Sequence, residues 1–575
     1  MDVEIDLASG PFEVLFTDSA LRLSTSLDIM RGDVIVLHMK YSPLLGGFVL
    51  NDKVEGNWAR ELFVPCVRPP SGVGMAVTLL LRDDAPQLLL AIGVRLGLAE
   101  RFRLEGKLQA RVNSPIRLGH GATRLAPSEV QVARMLSPDE PGFERGLDAF
   151  VASAGAFFLE GWIDDRRTEV VGISVVDYAT GSRAMLPVYR VRRPDVDAHL
   201  QPSRPSEFGF WTVGYGGAGL IDGAALSLVF RDGSALPIQP PAPRHQGDAD
   251  FLNTLLAQFG QRKVLGNITA RSFADLDAGY GDILAKLYGQ IAAERRVVNR
   301  ARFGSSARAP RVSLVCVLFG LPDFLYLLVA QFARYGGLEG LEFIFVNNSP
   351  EIEEVLLRDA ELASMVFGAD IQLITLNQNC GFSHANNVGV GAASADCIAI
   401  INPDVFPRHA AAVARLRALA EIDLGDDIYG GKLYYADGSV MHEGMFFVED
   451  QRLSVLCQRP VWTVEHFRKG FADTASPTLR PVPALTGALQ VMSRRLYERL
   501  GGFNTDFFFG HYEDADLCLR ISQAGGRVLV DPGLAYWHYE GMGSAKRPEH
   551  VGSGLYNRWF FSDLWGQKLR EASHV

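Results

Sequence analysis

The period of the hydrophobic pattern changes along the chain. From residue 1 to about 125, short apolar runs follow one another between turn residues, with no helical spacing: FEVLFT, LRLSTS, DVIVLHMKY, GGFVLN, ELFVPCV, MAVTLLLR and QLLLAIG. Runs of this kind in close succession predict a β-sandwich over 1–125. A linker with Pro127, Pro138 and Pro141 leads to a second series, AFFLEGWIDD, TEVVGISVVDY, RAMLPVYR, FGFWTVGY and ALSLVFRDG, which predicts a second sandwich over 145–243. The proline-rich PIQPPAPRH marks a boundary. Beyond it the spacing becomes helical. Phe251, Leu255, Leu256 and Phe259 make one stripe, and Ile283, Leu284, Leu287 and Ile291 another, which predicts a helical connector over 246–304. Its basic end, ERRVVNRARFGSSARAPR, reads as a solvated linker.

From Arg311 the apolar runs VSLVCVLF, LEFIFVN, IQLITL and CIAII alternate with segments long enough to be helices. That order predicts parallel strands with right-handed crossovers, a Rossmann-like α/β domain over 305–575. The carboxyl ends of such strands share one edge, where ligands bind. Phe319, Asn347, Asn379 and Asp404 fall on it. The run Cys397 to Ile401 stops at Asn402-Pro403-Asp404, because proline cannot continue a central ladder. Asn-Pro-Asp is also ordinary turn chemistry. A second acidic cluster, HYEDADLCLR, and a histidine in YWHYEG give it more weight. Two carboxylate groups and an imidazole near one strand end can hold a divalent ion and leave a base over.

Composition narrows the function classes. The 575 residues are 48% hydrophobic and 21% charged, as in a folded globular chain, and exceed what one core organises. A net charge of −10 speaks against nucleic acid, whose binding rests on phosphate neutralisation. The six cysteines are scattered without a C-x-x-C pair, which fits reduced core residues of a cytoplasmic chain. MDVEIDLASG lacks the apolar region of a signal peptide. The most membrane-like stretch, Val312 to Phe332, is interrupted by Gly320, Pro322 and Asp323 and reads as a strand turning into a helix. The expected location is cytoplasmic, with peripheral contact at the inner membrane left open. Oligomeric state is not readable.

The stretches LNQNCGFSHANNVGV, IINPDV, TGALQVMSRRLYERLGGFNTDFFFGHYEDADLCLRISQAGG and YWHYEGMGS stand in an order and spacing that resemble the inverting family 2 glycosyltransferases of GT-A fold, in their rhamnosyl- and galactofuranosyl-transferase branch. The resemblance spans 311–565. It implies a Mg2+ or Mn2+ ion held by Asp404 and His538, with Asn402 in the first position of the D-x-D motif and contacting the donor. It implies Asp514 as general base beside Glu513, and Asp516 as support. Phe319, Asn347, Asn379, Gly381 and Asn387 would line a nucleotide-sugar site, and Thr486 and Gly487 the acceptor side. Gly320 and Asn347 depart from a frequent asparagine and a usual aspartate.

RGDVIVLHMKYSPLLGGFVLNDKVEGNWARELFVP, within residues 10–112, resembles a galectin-type carbohydrate-recognition domain. His38, Asn51, Trp58 and Glu61 fall at that family's sugar-contacting positions, whereas Lys40, Ser42 and Phe63 replace an asparagine and two arginines. The expectation is a metal-dependent inverting transferase moving a sugar from UDP or dTDP to a glycan or glycolipid acceptor in bacterial surface polysaccharide synthesis. The alternative is a carbohydrate-binding protein whose transferase domain is degenerate.

Overall fold

The computed structural model describes the strand backbones between residues 2 and 113, and residues 132–573 apart from 154, 178–182, 203–206, 216–223, 265–269, 305–308, 474–477 and 542–547. The chain is mixed α/β with several sheets. It divides into two compact units, Met1–Thr123 with Glu449–Val461, and Arg124–Val448 with Trp462–Val575.

In the first unit, strands Asp2–Ile5, Leu108–Asn113, Ser26–Arg31, Val34–Ser42, Gly47–Val54 and Asn57–Pro65 pair in that order into an antiparallel six-stranded sheet. Phe12–Phe16, Met75–Leu81, Gln87–Gly93 and Ala99–Arg103 form a second sheet of four. His38 stands opposite Asn51, and Asn51 opposite Glu61, so the three share one cross-strand row. Trp58 pairs with Lys53 beyond a register shift. The side chains of all four lie outside the described residues.

The second unit opens with two five-stranded sheets between Arg134 and His245. Phe150, Phe157, Leu159, Ile173, Phe210, Leu228 and Phe230 are buried in one cluster there. Alternation along a strand sends neighbouring residues to opposite faces. In strand Ala156–Ile163, Phe157 and Leu159 join that cluster, while Phe158 joins a different one. In strand Gly209–Tyr215, Phe210 and Trp211 divide the same way. This sheet is therefore buried on both faces, which is why FGFWTVGY reads as nearly continuous apolar sequence.

The second face is covered by helices α1 (Asp248–Val264) and α2 (Gly281–Ala293). Both expected stripes are on the inside: Phe251, Leu255, Leu256, Phe259, Leu284, Leu287 and Ile291 are buried with Tyr189, Trp211 and Tyr280. Trp211 stacks on Tyr189 at 4.3 Å and meets Tyr280 edge-on at 4.8 Å. The helical run ends at Ala293, short of its expected limit. Instead of a solvated linker, Val297–Phe303 is a strand, β1.

Strands β1, β2 (Val312–Leu318), β3 (Leu341–Asn347), β4 (Asp370–Leu376), β5 (Cys397–Ile401), β6 (Val405–Pro407), β7 (Ile428–Tyr434), β8 (Leu489–Ser493) and β9 (Val528–His538) build one large sheet. Its order is β1-β4-β3-β2-β5-β8-β7-β9-β6, with two short strands paired to β7 and β9. β2 to β5 are mutually parallel through their neighbours, and every residue of β2, β3 and β5 is buried. Strand order reverses between β2 and β5, which opens a crevice at their carboxyl ends. Helices α3 (Phe382–Gly391), α4 (Glu513–Gln523) and α5 (Pro548–Ser573) complete the part that concerns the site. α5 lies along α1 so closely that a Cβ on Gly552 would overlap the Leu256 carbonyl oxygen.

The same substitution should therefore have opposite signs at two helical glycines. A Cβ on Gly289, in α2, would meet nothing within 4 Å. Gly289→Ala is expected to stabilise by about 0.5–1 kcal/mol through helix propensity. Gly552→Ala is expected to cost about 1–3 kcal/mol because two backbones must separate. Thermal denaturation of both variants checks this, and a rise in Tm for Gly552→Ala would contradict the close approach of α5 to α1.

Candidate active site at the sheet switch point

After Ile401 the chain leaves β5, but its pairing with β8 goes one step further: the Asn402 N–H donates to the Ala488 carbonyl at 2.9 Å. The Val405 N–H then closes a turn onto the Asn402 carbonyl at 3.2 Å, with Asp404 inside it. β6 begins at once and pairs Val405 with His538 of β9, while the Tyr539 N–H donates to the Asp404 carbonyl at 3.1 Å. Asp404 and His538 are thereby neighbours, both buried, with His538 Nε2 3.5 Å from Asp404 Oδ1. His538 Nδ1 lies 3.4 Å from Met441 Sδ. A proton on Nδ1 directed at that sulfur leaves the Nε2 lone pair on the Asp404 side. Behind them the Cys316 thiol is pushed well up, by burial and then by the Asp404 charge.

Among the described residues no group of three or more His, Cys, Asp or Glu is placed to hold a metal ion. A two-ligand site still suits Mg2+ or Mn2+. Such ions keep several waters and take substrate phosphate oxygens, and two cis ligands at bonds of about 2.1 Å sit about 3 Å apart. One carboxylate oxygen and one imidazole nitrogen 3.5 Å apart fit that requirement.

The loop before β8 reaches the second acidic cluster. The Gly487 N–H donates to Asp514 Oδ2 at 2.8 Å, and the Ala515 N–H to Asp514 Oδ1 at 2.8 Å. Asp404 and His538 are thus in contact, and Asp514 joins them through residues 487 and 488. Asp514 and Glu513 open α4 after a turn in which Phe509, His511 and Tyr512 have φ of 55°, 85° and 75°. Each non-glycine residue so held costs about 1–3 kcal/mol. Glu513 is buried with no partner for Oε2, and burial, then the Asp514 charge, pushes its carboxyl up to about 8. Burial raises Asp514 as well, against the backbone N–H groups of Gly487, Ala515 and Asp514 itself, which lower it. Asp516 accepts from Trp565 Nε1 and Arg520 Nε, each at 2.9 Å, and so braces the helix.

Phe319 follows β2 and Asn347 ends β3 at the same edge. Asn347 is buried, accepts the Ser349 N–H at 3.0 Å and leaves Nδ2 without a partner. Asn348, which no sequence motif marks, organises the loop after β4. Its Nδ2 donates to Asn379 Oδ1 at 2.9 Å and its Oδ1 accepts the Cys380 N–H at 2.8 Å. Asn379 also accepts the Gly381 N–H at 3.0 Å. Gly381 has φ +81°, and a Cβ there would meet Tyr288 Oη at 3.0 Å.

Asn387 faces other work than a ligand. Its Oδ1 accepts from Tyr497 Oη at 2.6 Å and the Phe503 N–H at 3.0 Å, and its Nδ2 donates to the Phe503 carbonyl at 2.9 Å. The Phe319 ring lies 6.4 Å from His550 of α5. Asn402 Oδ1 is buried and unpartnered. Thr486 stands beside His442, whose Nε2 accepts the Gly444 N–H at 3.2 Å and lies 3.5 Å from the Thr486 nitrogen. His442 Nδ1 meets His466 Nδ1 at 2.9 Å, and burial holds His442 neutral, well below the usual imidazole range. The segment GGKLYYADGSVMHEG falls where the resemblance implies pocket-shaping residues, and no spacing within it singles out this histidine.

No protein-family model matches the chain. A search of curated proteins finds "Uncharacterized protein y4gI" of Sinorhizobium fredii, 24% identical over 244 residues, which are 40% of this chain. The matched region spans 24% of that relative's own length. Among solved structures, GalNAc-T7 with UDP, GalNAc and Mn2+ aligns at TM-score 0.34 and 13% identity, covering 45% of this chain and 49% of that one. The mannosyltransferase PcManGT from Pyrobaculum calidifontis in complex with GDP-Man and Mn2+ aligns at 0.29 and 14%, covering 56% and 85%. S. aureus TarS 1–349 aligns at 0.27 and 14%, covering 40% and 60%.

The raised Glu513 carboxyl makes stability depend on pH. Its folded value of about 8 lies above the unfolded value of about 4.3, so between them the folded state holds a proton that the unfolded state has lost. The group's contribution is complete below the lower value and is lost as pH rises through the higher one. Glu513→Gln cannot ionise. Across pH 5 to 8.5 the Tm of the parent should fall relative to that of Glu513→Gln, and parallel Tm–pH curves would refute the protonated state.

Proposed function

We propose that this protein is a metal-dependent inverting glycosyltransferase that moves a sugar from a nucleoside-diphosphate donor, UDP- or dTDP-linked, to a glycan or glycolipid acceptor. The observation that carries the reading is the Asp404–His538 pair at the switch point, joined to Asp514 through the 487–488 backbone. The sequence resemblance over 311–565 supports the same assignment, including the family 2 type.

In this reading Asp404 and His538 hold Mg2+ or Mn2+, which neutralises charge developing on the leaving diphosphate. Asp514 takes the proton of the attacking acceptor hydroxyl. Its raised affinity for protons, caused by burial, favours that transfer, and the Gly487 and Ala515 N–H groups hold the plane of the carboxylate. Glu513, protonated beside it, leaves the pair with a single negative charge. Attack by the acceptor from the side opposite the diphosphate, in one displacement, inverts the anomeric centre. Asn347 Nδ2 and Asn402 Oδ1, buried without protein partners, are a donor and an acceptor available to the nucleotide-sugar, beside Phe319, Asn379 and Gly381. Thr486 and Gly487 border the acceptor.

The N-terminal sheets suit glycan recognition. His38, Asn51 and Glu61, all at positions of the galectin type, share one row. The work fits surface polysaccharide synthesis in the bacterial cytoplasm, at the inner membrane. No helix among the described residues is long and apolar enough to cross a membrane.

Asp514→Asn is expected to lower kcat for sugar transfer by about 10²–10⁴-fold while donor KM changes little. Asp404→Ala should abolish the response to Mn2+ and weaken UDP binding. Radiolabelled transfer from a panel of UDP- and dTDP-sugars, with and without chelator, measures both. A carbohydrate-binding protein with a degenerate transferase domain would show no metal-dependent turnover to lose. Titration of the full chain and of Trp58→Ala with an oligosaccharide panel tests the N-terminal role. Equal heats from the two would remove Trp58 from it.

A further inference from the structure

The turn that delivers Glu513 and Asp514 is strained, and Tyr512, which caps α4, makes no side-chain capping bond. The Phe382 N–H of α3 donates to the turn's Phe509 carbonyl at 2.8 Å, and one residue of α5 binds several of its main-chain groups at once. Asn557, fully buried in α5, shares the two Nδ2 hydrogens among the carbonyls of Phe508 at 2.9 Å, Gly510 at 2.7 Å and His511 at 3.1 Å. Its Oδ1 accepts the Phe508 N–H at 2.8 Å. The arrangement needs donor and acceptor on one planar group. A carboxylate has no hydrogen for three carbonyls, and a hydroxyl is too short to serve both sides. The neighbouring Tyr556 ring stacks on Phe508 at 3.8 Å, with Tyr288 of α2 at 4.2 Å from the same ring. Further along α5, Trp565 bonds Asp516 in the first turn of α4. One helix therefore grips the chain on both sides of the acidic pair.

We propose that Asn557 is a positioning residue: by fixing the 508–512 turn it sets the Asp514 carboxylate against the Gly487 N–H and towards the acceptor hydroxyl. The proposal rests on the transferase reading above, in which Asp514 is the base. It accounts for how a turn with three left-handed non-glycine residues persists beside a reacting group.

The test uses the full chain with Asn557→Ala, the isosteric Asn557→Asp, and Ser553→Ala as control. Ser553 Oγ bonds the His550 carbonyl at 2.9 Å within α5. Hydrogen–deuterium exchange, which needs no substrate, should show faster exchange over 508–516 in both Asn557 variants, with β5 and β8 still protected. With donor and Mn2+, kcat should fall about 10²-fold, the scale of a reacting group displaced by about 1 Å. Donor KM should stay within about threefold, and the acidic limb of the kcat–pH profile should move because the surroundings of Asp514 change. Ser553→Ala should match the parent throughout.

Unchanged exchange over 508–516 overturns the clamp. Faster exchange there with kcat unchanged overturns the positioning role. If Asn557→Ala fails to fold, Asn557→Asp decides by the same two criteria, and a fall in kcat matched by the unfolded fraction counts against the proposal. If the parent turns over no donor, the transferase reading fails and the positioning role with it, while the exchange data still decide whether the clamp exists.

Discussion

Ile401 stands opposite Leu489, and the candidate site depends on that antiparallel register. It directs the Asn402 N–H to the Ala488 carbonyl, and from there the next amide, Gly487, is free to meet Asp514. A slip of one residue would turn each of these groups to the opposite side of its strand. The register is protected by burial. All of β5 is inside, and the first four residues of β8 are too. Gln490 adds a bond from Nε2 to the Leu485 carbonyl at 3.1 Å, which fixes the loop between them. Two acidic segments distant in sequence are thus brought together by a main-chain bond on the Asp404 side and by the Asp514 carboxylate on the other.

A second constraint comes from the aromatic core between the sandwich and the helices. Tyr189, Trp211 and Tyr280 belong to the same buried cluster as Tyr288, Phe508 and Tyr556. Phe508 is in the turn that precedes the acidic pair. The packed interior that closes the second sandwich therefore continues, ring by ring, to the edge of the site. Close-packed interiors resist change in volume, so the sandwich and connector act as a foundation for that turn. From α2 the Tyr288 ring packs on Phe508 at 4.2 Å, and its hydroxyl donates to the carbonyl of Phe507, just before the turn, at 3.3 Å.

Much of this was legible before any coordinates. β2 to β5 stood out because parallel strands covered on both faces are written as unbroken apolar runs. The stripes of α1 and α2 followed the helical period because each has one buried side. Asp404 was conspicuous for the proline that ends β5 beside it. β1 escaped notice because it lies at the sheet edge, where Val298, Asn299 and Arg300 are all exposed and no alternation marks a strand. The resemblance makes Asn387 a ligand contact, whereas its amide meets Tyr497 and Phe503, and no local pattern announces partners more than a hundred residues away. Asn348 and Asn557, with partners 31 to 49 residues away, carry no local mark either. A polar residue whose task is to satisfy main-chain groups of another segment carries no periodicity and no neighbouring signature.

The packing of α5 against α1 has a consequence for biosynthesis. Phe251, Leu252, Leu255, Leu256 and Phe259 share their buried cluster with Leu555 and Tyr556, which the ribosome adds only after the whole large sheet. At about 5–20 residues per second the newly made α1 waits on the order of tens of seconds for that cover. During the interval the side of α1 not yet packed on the sandwich is a greasy ridge, of the kind that holdase chaperones grasp and that nascent neighbours on a polysome stick to. Yield in a heterologous host should accordingly be governed by translation speed and chaperone supply more than by the stability of the finished molecule.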